Sequence, residues 1–171
     1  MYFTQAFAAS RFSLPLKMPQ PAGTTGLVNT LGTSAITGWG LVAFSNGNVQ
    51  LEVAPGSGAT TGKLAYNAAS LMNNTEWFHL AATYQGGNTS GNSTAALTLY
   101  LNGQQVATNT VNFGGNYSSA AFPDNDLHFG AYANLTRGLQ GSLDGVRIYE
   151  HVLQLADVRE LIPSVWNGGA G

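Results

Sequence analysis

The sequence contains no cysteine, which removes disulfides, thiolate metal sites and a cysteine nucleophile from consideration. Charge is nearly as scarce. Six Lys and Arg and eight Asp and Glu make up 8% of the 171 residues, against about a quarter in an ordinary soluble domain. With a formal net charge of −2 and its cations scattered singly, the chain has no basic patch to neutralise phosphates, so no nucleic-acid partner is expected. No apolar run reaches the roughly 20 residues of a membrane span. The opening stretch from Met1 to Arg11 lacks the basic start and continuous apolar core of a signal peptide. What the chain does have is 44% hydrophobic residues and 22 glycines. That is apolar content enough for one core, and a single domain over 1–171 is expected.

Short segments of period-two alternation fill most of the sequence. Phe12, Leu14, Leu16 and Met18 share one face. Pro15, inside that run, has no ladder donor and implies an edge or a bulge. Further strands are predicted at 26–31, 39–44, 49–53, 64–66, 78–84, 96–101, 104–111, 127–131, 139–142 and 146–149. Phe78–Tyr84 is apolar on both faces and should lie in the middle of a sheet. Asn102-Gly103 is the strongest local signal, a type I′ hairpin turn. A simple two-residue turn would set Leu99 opposite Val106 and Leu97 opposite Thr108. Only 153–162 has helical spacing, through Leu155, Val158, Leu161 and Ile162, and Pro163 ends it. The expected fold is all-β, a two-sheet antiparallel sandwich with one short C-terminal helix.

The second half also carries a recognisable pattern. Trp77, His79, Ala81, Thr83 and Tyr84 are followed by Leu99-Tyr100-Leu101-Asn102-Gly103, then by Asp144, Val146, Arg147, Ile148 and Tyr149, and by Leu153, Val158 and Leu161. Over about residues 10–162 this resembles the laminin-G-like jelly roll of the concanavalin A-like lectin/glucanase superfamily. The resemblance implies a jelly-roll topology and a non-catalytic module that binds carbohydrate or protein through its rim loops. Three positions depart from the pattern: Gly145 replaces an acid, Gln85 an aspartate, and Gln154 the serine that caps the helix. The last substitution weakens the helix start by about 1 kcal/mol unless something else caps it.

Catalysis by the superfamily's glycosidases needs two acids on one strand face. The eight acids are Glu52, Glu76, Asp124, Asp126, Asp144, Glu150, Asp157 and Glu160, and the only pair two apart, Asp124 and Asp126, sits in a loop. No enzyme activity is expected. Asp124 and Asp126 cluster oxygen ligands as calcium requires, although an Asx-type turn explains them as well. His79, His128 and His151 have no acidic or cysteine partners at metal-ligand spacing and are expected to be structural. Asp144 and Arg147 are expected to form a structural polar network, as in the resembled family.

Trp39 and Trp77 are expected to pack. Tyr117 and Tyr132, in or beside loops, are the candidates for stacking on a ligand. The contact surface is therefore expected on the polar loops 85–95 and 114–126, with Tyr117, Asp124, Asp126 and Tyr132 contributing. Partners would be a glycan or protein surface, with a homo-oligomer also considered. The alternative is a structural virion-surface protein (a capsid decoration, cement or fibre component contacting other virion proteins), because such a particle leaves by lysis without an export signal. Extracellular or virion-surface location follows in either case.

Overall fold

A computed structural model describes residues 9–31, 37–55, 61–86, 94–113, 126–132, 137–149 and 152–162, with backbone alone at 9–13, 37 and 55. The strands are β1 (Ala9–Lys17), β2 (Thr25–Asn29), β3 (Thr37–Ala43), β4 (Asn48–Pro55), β5 (Gly62–Asn67), β6 (Phe78–Gly86), β7 (Thr94–Leu101), β8 (Gln104–Asn112), β9 (His128–Phe129), β10 (Ser142–Leu143) and β11 (Arg147–Tyr149). Among the described residues one α-helix, α1 (Leu155–Glu160), follows, and a single 3-10 turn spans Ala69–Leu71. The strands form two antiparallel sheets. The first runs β10-β1-β6-β7-β8, with β11 also on β1, and the second runs β5-β4-β3-β2-β9. This is the jelly-roll sandwich that the alternation implied.

The core lies between the sheets. Leu14, Leu16, Phe78, Leu80, Leu97 and Leu99 from the first meet Leu27, Leu41, Leu51 and Val53 from the second, all at most 2% exposed. Each such leucine contributes roughly 1.5–3 kcal/mol relative to exposure. β6 is buried on its other face too. There Ala81 and Tyr100 pack under Leu153 and Val158 of the C-terminal segment. That second cover is why Phe78–Tyr84 has no exposed face, with His79 and Thr83 buried beside Ala81.

Three local details differ from a simple reading of the sequence. The Asn102-Gly103 turn has φ of +47° and +71°, as type I′ requires, and pairs Leu101 with Gln104 and Tyr100 with Gln105. An extra residue in β8 then shifts the register, so Leu99 faces Ala107 and Leu97 faces Asn109. The expected partners Val106 and Thr108 are each off by one because of this bulge.

Pro15, second, is not on an edge strand. β1 is flanked by β6 on one side and by β10 and β11 on the other. The pairs Ser13–Arg147 and Leu16–Leu143 leave two residues of β1 facing three of the outer strand. The outer strand bulges at Gly145, φ +52°, directly opposite Pro15. Pro15 accepts a hydrogen bond from Asp144 N at 3.1 Å. The missing donor thus falls where the neighbour's ladder is already interrupted.

Third, α1 is shorter than the periodic stretch, because Leu153 is buried ahead of the helix and Leu161–Ile162 form a closing turn. Its missing serine cap is compensated. The Asp157 carboxylate accepts from the Gln154 backbone N at 2.7 Å, the return half of a capping box. Asp157→Ala is expected to lower stability by about 1 kcal/mol, read from the urea unfolding midpoint. An unchanged midpoint would mean the helix start does not depend on that bond.

Candidate functional site

The register of the second sheet assembles two kinds of transverse row. One reads Val28–Leu41–Leu51–Leu64 and faces the core, with Phe129 paired to Val28 at its end but half exposed. Its neighbour, one residue along each strand, reads His128–Asn29–Gly40–Glu52–Lys63. Because side chains alternate, this second row faces away from the core. Such a face would ordinarily be open to water. Here Asn29 is fully buried and Glu52 only 8% exposed.

A strap of chain provides part of that cover. Gly130 N donates to Leu27 O at 2.8 Å, Asn29 Nδ2 donates to Ala131 O at 2.7 Å, and Gly26 N donates to Arg137 O at 3.4 Å. Leu139 N closes the strap on Gly130 O. The approach is so close that a Cβ on Gly26 would lie 2.6 Å from Ala131 O, so only glycine fits. The strap places Tyr132 and Arg137 together, with the guanidinium carbon 5.1 Å from the ring centroid, a cation–π distance.

The electrostatics tie this stack to the sheet. Burial raises the Tyr132 hydroxyl above its ordinary pKa, and the negative charge of Glu52 raises it further, while Arg137 opposes both. Glu52 is itself held by Gln50, whose side-chain amide donates to Oε1, and by Lys63 Nζ at 3.5 Å. Lys63 is half exposed, so this ion pair contributes little stability. What it does is fix the direction of the carboxylate. The patch therefore offers a fixed acceptor, two cations, a phenol hydroxyl and an aromatic ring. Those are the components of a polar-ligand site.

Of the sequence candidates, Tyr132 belongs to this patch. Asp126 is exposed just ahead of β9, whose His128 ends the same row. Tyr117 and Asp124 lie outside the described residues, as do His151, residues 56–60 between β4 and β5, residues 87–93 of the 85–95 loop and residues 114–125 of the 114–126 loop. The strand ends that carry those loops do meet. Gly62 abuts Val111 and Phe113, and Thr94 pairs with Asn112. The Glu52–Lys63 pair is one step in from the Val53–Gly62 pair at that end, so the patch borders the expected rim.

Glu52, Gln50, Lys63, Asn29 and Arg137 were not legible as site residues. The Gln50/Glu52 alternation against Val49, Leu51 and Val53 marks them as outward-facing, but nothing local shows that the strap returns over them.

Among the described residues no cluster of three metal-ligating side chains occurs. His79 is buried, and its backbone N donates to Asn102 Oδ1 at 2.8 Å while Asn102 N donates to His79 O at 2.8 Å. The hairpin asparagine thus anchors the turn to β6. Asp144 and Arg147 do not form the expected buried network, since both side chains are exposed at the Gly145 bulge. The tie from this segment to β1 is the backbone bond from Asp144. Trp39 packs against the core, as expected. Among the described residues no helix is long and apolar enough to cross a membrane.

Fold and pattern together define the chain's family. Residues 9–159 match the concanavalin A-like lectin/glucanases superfamily, and the chain belongs to it. No curated protein matches it closely enough to count as a relative. Several solved structures share its fold. A carbohydrate-binding module (CBM40) of the Ruminococcus gnavus IT-sialidase, bound to α2,3-sialyllactose, is 16% identical with a TM-score of 0.66, over 89% of this chain and 81% of that one. The receptor-binding domain of botulinum neurotoxin type G is 13% identical with a TM-score of 0.62, over 90% of this chain and 37% of that one. The binding domain of botulinum neurotoxin DC, in complex with rat synaptotagmin II, is 12% identical with a TM-score of 0.55, over 93% and 36%.

Proposed function

We propose that the protein is a non-catalytic recognition module that binds carbohydrate through the Glu52–Tyr132–Arg137 patch and the adjoining rim. The observation that carries this reading is Glu52: a carboxylate almost removed from water on the outer face of a sheet, with a Tyr–Arg stack beside it. Buried charge is costly unless it is paired or used. Its pairing here, one half-exposed lysine and one amide, leaves acceptor capacity, since an ionised carboxylate has about four lone-pair sites. Sugar hydroxyls are donors of that kind, and a sugar's apolar face suits an aromatic ring. The solved relatives in fold support a binding role, one carrying sialyllactose and one synaptotagmin. Tyr117, Asp124 and Asp126 complete the proposed contact surface at the rim, with Asp124 and Asp126 as the place for a calcium ion if one is held.

A hydrolytic role is disfavoured by the acid count on this face. Among the described residues Glu52 is the single acid on the strands of the second sheet, and two-carboxylate hydrolysis needs a pair about 5–9.5 Å apart. The test is a glycan panel probed with the wild type and with Arg137→Ala and Glu52→Gln. Each substitution is expected to weaken the glycans bound by roughly tenfold, about one charge-assisted hydrogen bond, with the thermal midpoint nearly unchanged. Wild-type binding by both variants would overturn the site. Release of reducing ends that Glu52→Gln abolishes would overturn the non-catalytic reading.

A further inference from the structure

The outer face of the second sheet is covered on one side and open on the other. Asn29, Gly40, Val42, Glu52 and Ala54 alternate with core residues along β2, β3 and β4 and face outward. Yet Asn29 and Val42 are fully buried and Ala54 is 1% exposed. Two pieces of chain lie on this face. Leu31, itself 2% exposed, rests on β3, where a Cβ on Gly40 would come within 2.9 Å of Leu31 Cδ1. Ala131 of the strap rests on β2 against Gly26. The other side differs. On β5, the edge strand, Lys63, Ala65 and Asn67 are all exposed, and Gln50 beside them on β4 is partly so. Glu52 sits at the boundary, with exposed Lys63 on one flank and Gly40, under Leu31, on the other. Tyr132 and the exposed Arg137 belong to the strap, on the covered side.

We propose that this site is blind: it seats the terminal sugar of a glycan chain or branch and does not accept an internal segment of a long polymer. The inference rests on the carbohydrate reading above and narrows it. An internal segment has to enter and leave the surface that holds it. A glycan crossing the strands from the β5 edge meets open surface over β5 and β4 only, two strands about 5 Å apart. Beyond Glu52 it meets Leu31 and the strap. A terminal ring has one linkage and needs one exit. Seated against the strap, its hydroxyls can donate to Glu52 while its linkage runs back over Ala65 to solvent. Ala65, with a single methyl, leaves headroom for the next ring. Gly40 serves the covered side, since any side chain there would displace Leu31 and break the wall.

The test is titration calorimetry with size-defined oligomers of a glycan that the panel selects. Affinity per chain is expected to level off by roughly the second or third sugar, the span of two strands, with one protein bound per chain end at every length. Enzymatic removal or chemical capping of that terminal sugar is expected to abolish binding, and capping the opposite end to change nothing. Ala65→Trp, at an exposed position, is expected to keep the circular dichroism and thermal midpoint of the wild type and to bind about tenfold more weakly. Stoichiometry that climbs with chain length, or binding that survives capping of both ends, would overturn the blind site while leaving a carbohydrate site in place. So would wild-type affinity in Ala65→Trp. A wild type that binds no glycan on the panel would instead remove the carbohydrate reading, and this inference with it.

Discussion

Acidification from neutral pH to about 4 is expected to cost the fold about 3 kcal/mol through His79 alone. Burial pushes the His79 imidazole down from its ordinary 6.5 to about 4, and the positive charge of Arg147 adds to the effect. The sign follows from linkage. Above pH 6.5 the ring is neutral in both the folded and unfolded chain and contributes no slope. Between 6.5 and 4 the unfolded chain takes up a proton that the folded chain refuses, so stability falls as pH falls. Below about 4 the folded state also protonates and the slope ends. The comparison to make is urea unfolding of wild type and His79→Gln at neutral pH and at pH near 4. The stability difference between the two proteins is expected to move by about 3 kcal/mol in favour of the variant. A difference that does not change with pH would mean the ring is hydrated or moves out on protonation.

Gly103→Val is expected to be the next most damaging of the changes considered, at about 2 kcal/mol. Gly103 has φ +71°, where a β-branched residue is strained. Its added Cβ would also lie 2.6 Å from Ile162 Cδ1 and 3.3 Å from Arg159 Cγ. The turn thus supports the closing turn of α1 as well as reversing the chain, and Arg159 Nε donates to Gly103 O at 3.3 Å. Gly103→Asn, which tolerates positive φ, should lose distinctly less. Equal losses would place the whole cost in the helix contact and none in the turn.

These two sites show what a sequence displays and what it withholds. The Asn-Gly turn is legible because the requirement for positive φ is local. That Asn102 also bonds to the backbone of His79, 23 positions away, is not local and leaves no trace in periodicity. The double burial of β6 was readable from the absence of charged residues on either face of Phe78–Tyr84. The Gly145 bulge was visible only as a departure from a family pattern; its reason, Pro15 across the ladder, emerges once β1 and the outer strand are paired. The candidate site is the extreme case. His128, Asn29, Gly40, Glu52 and Lys63 come from five strands and align through four registers. Tyr132 stood out as a loop aromatic. Arg137 and Glu52 become its neighbours through a strap that has no periodic signature at all.

Carbohydrate binding at the outer face of the second sheet, as proposed above, can be followed residue by residue. Backbone amide NMR during titration with a glycan selected from the panel tests it most directly. The largest saturable shifts are expected at Gln50–Val53, Gly62–Lys63, Tyr132 and Arg137–Gly138, with the core row and α1 nearly still. Saturable shifts confined to α1 and the outer face of the first sheet, with Glu52, Lys63 and Arg137 unmoved, would contradict it.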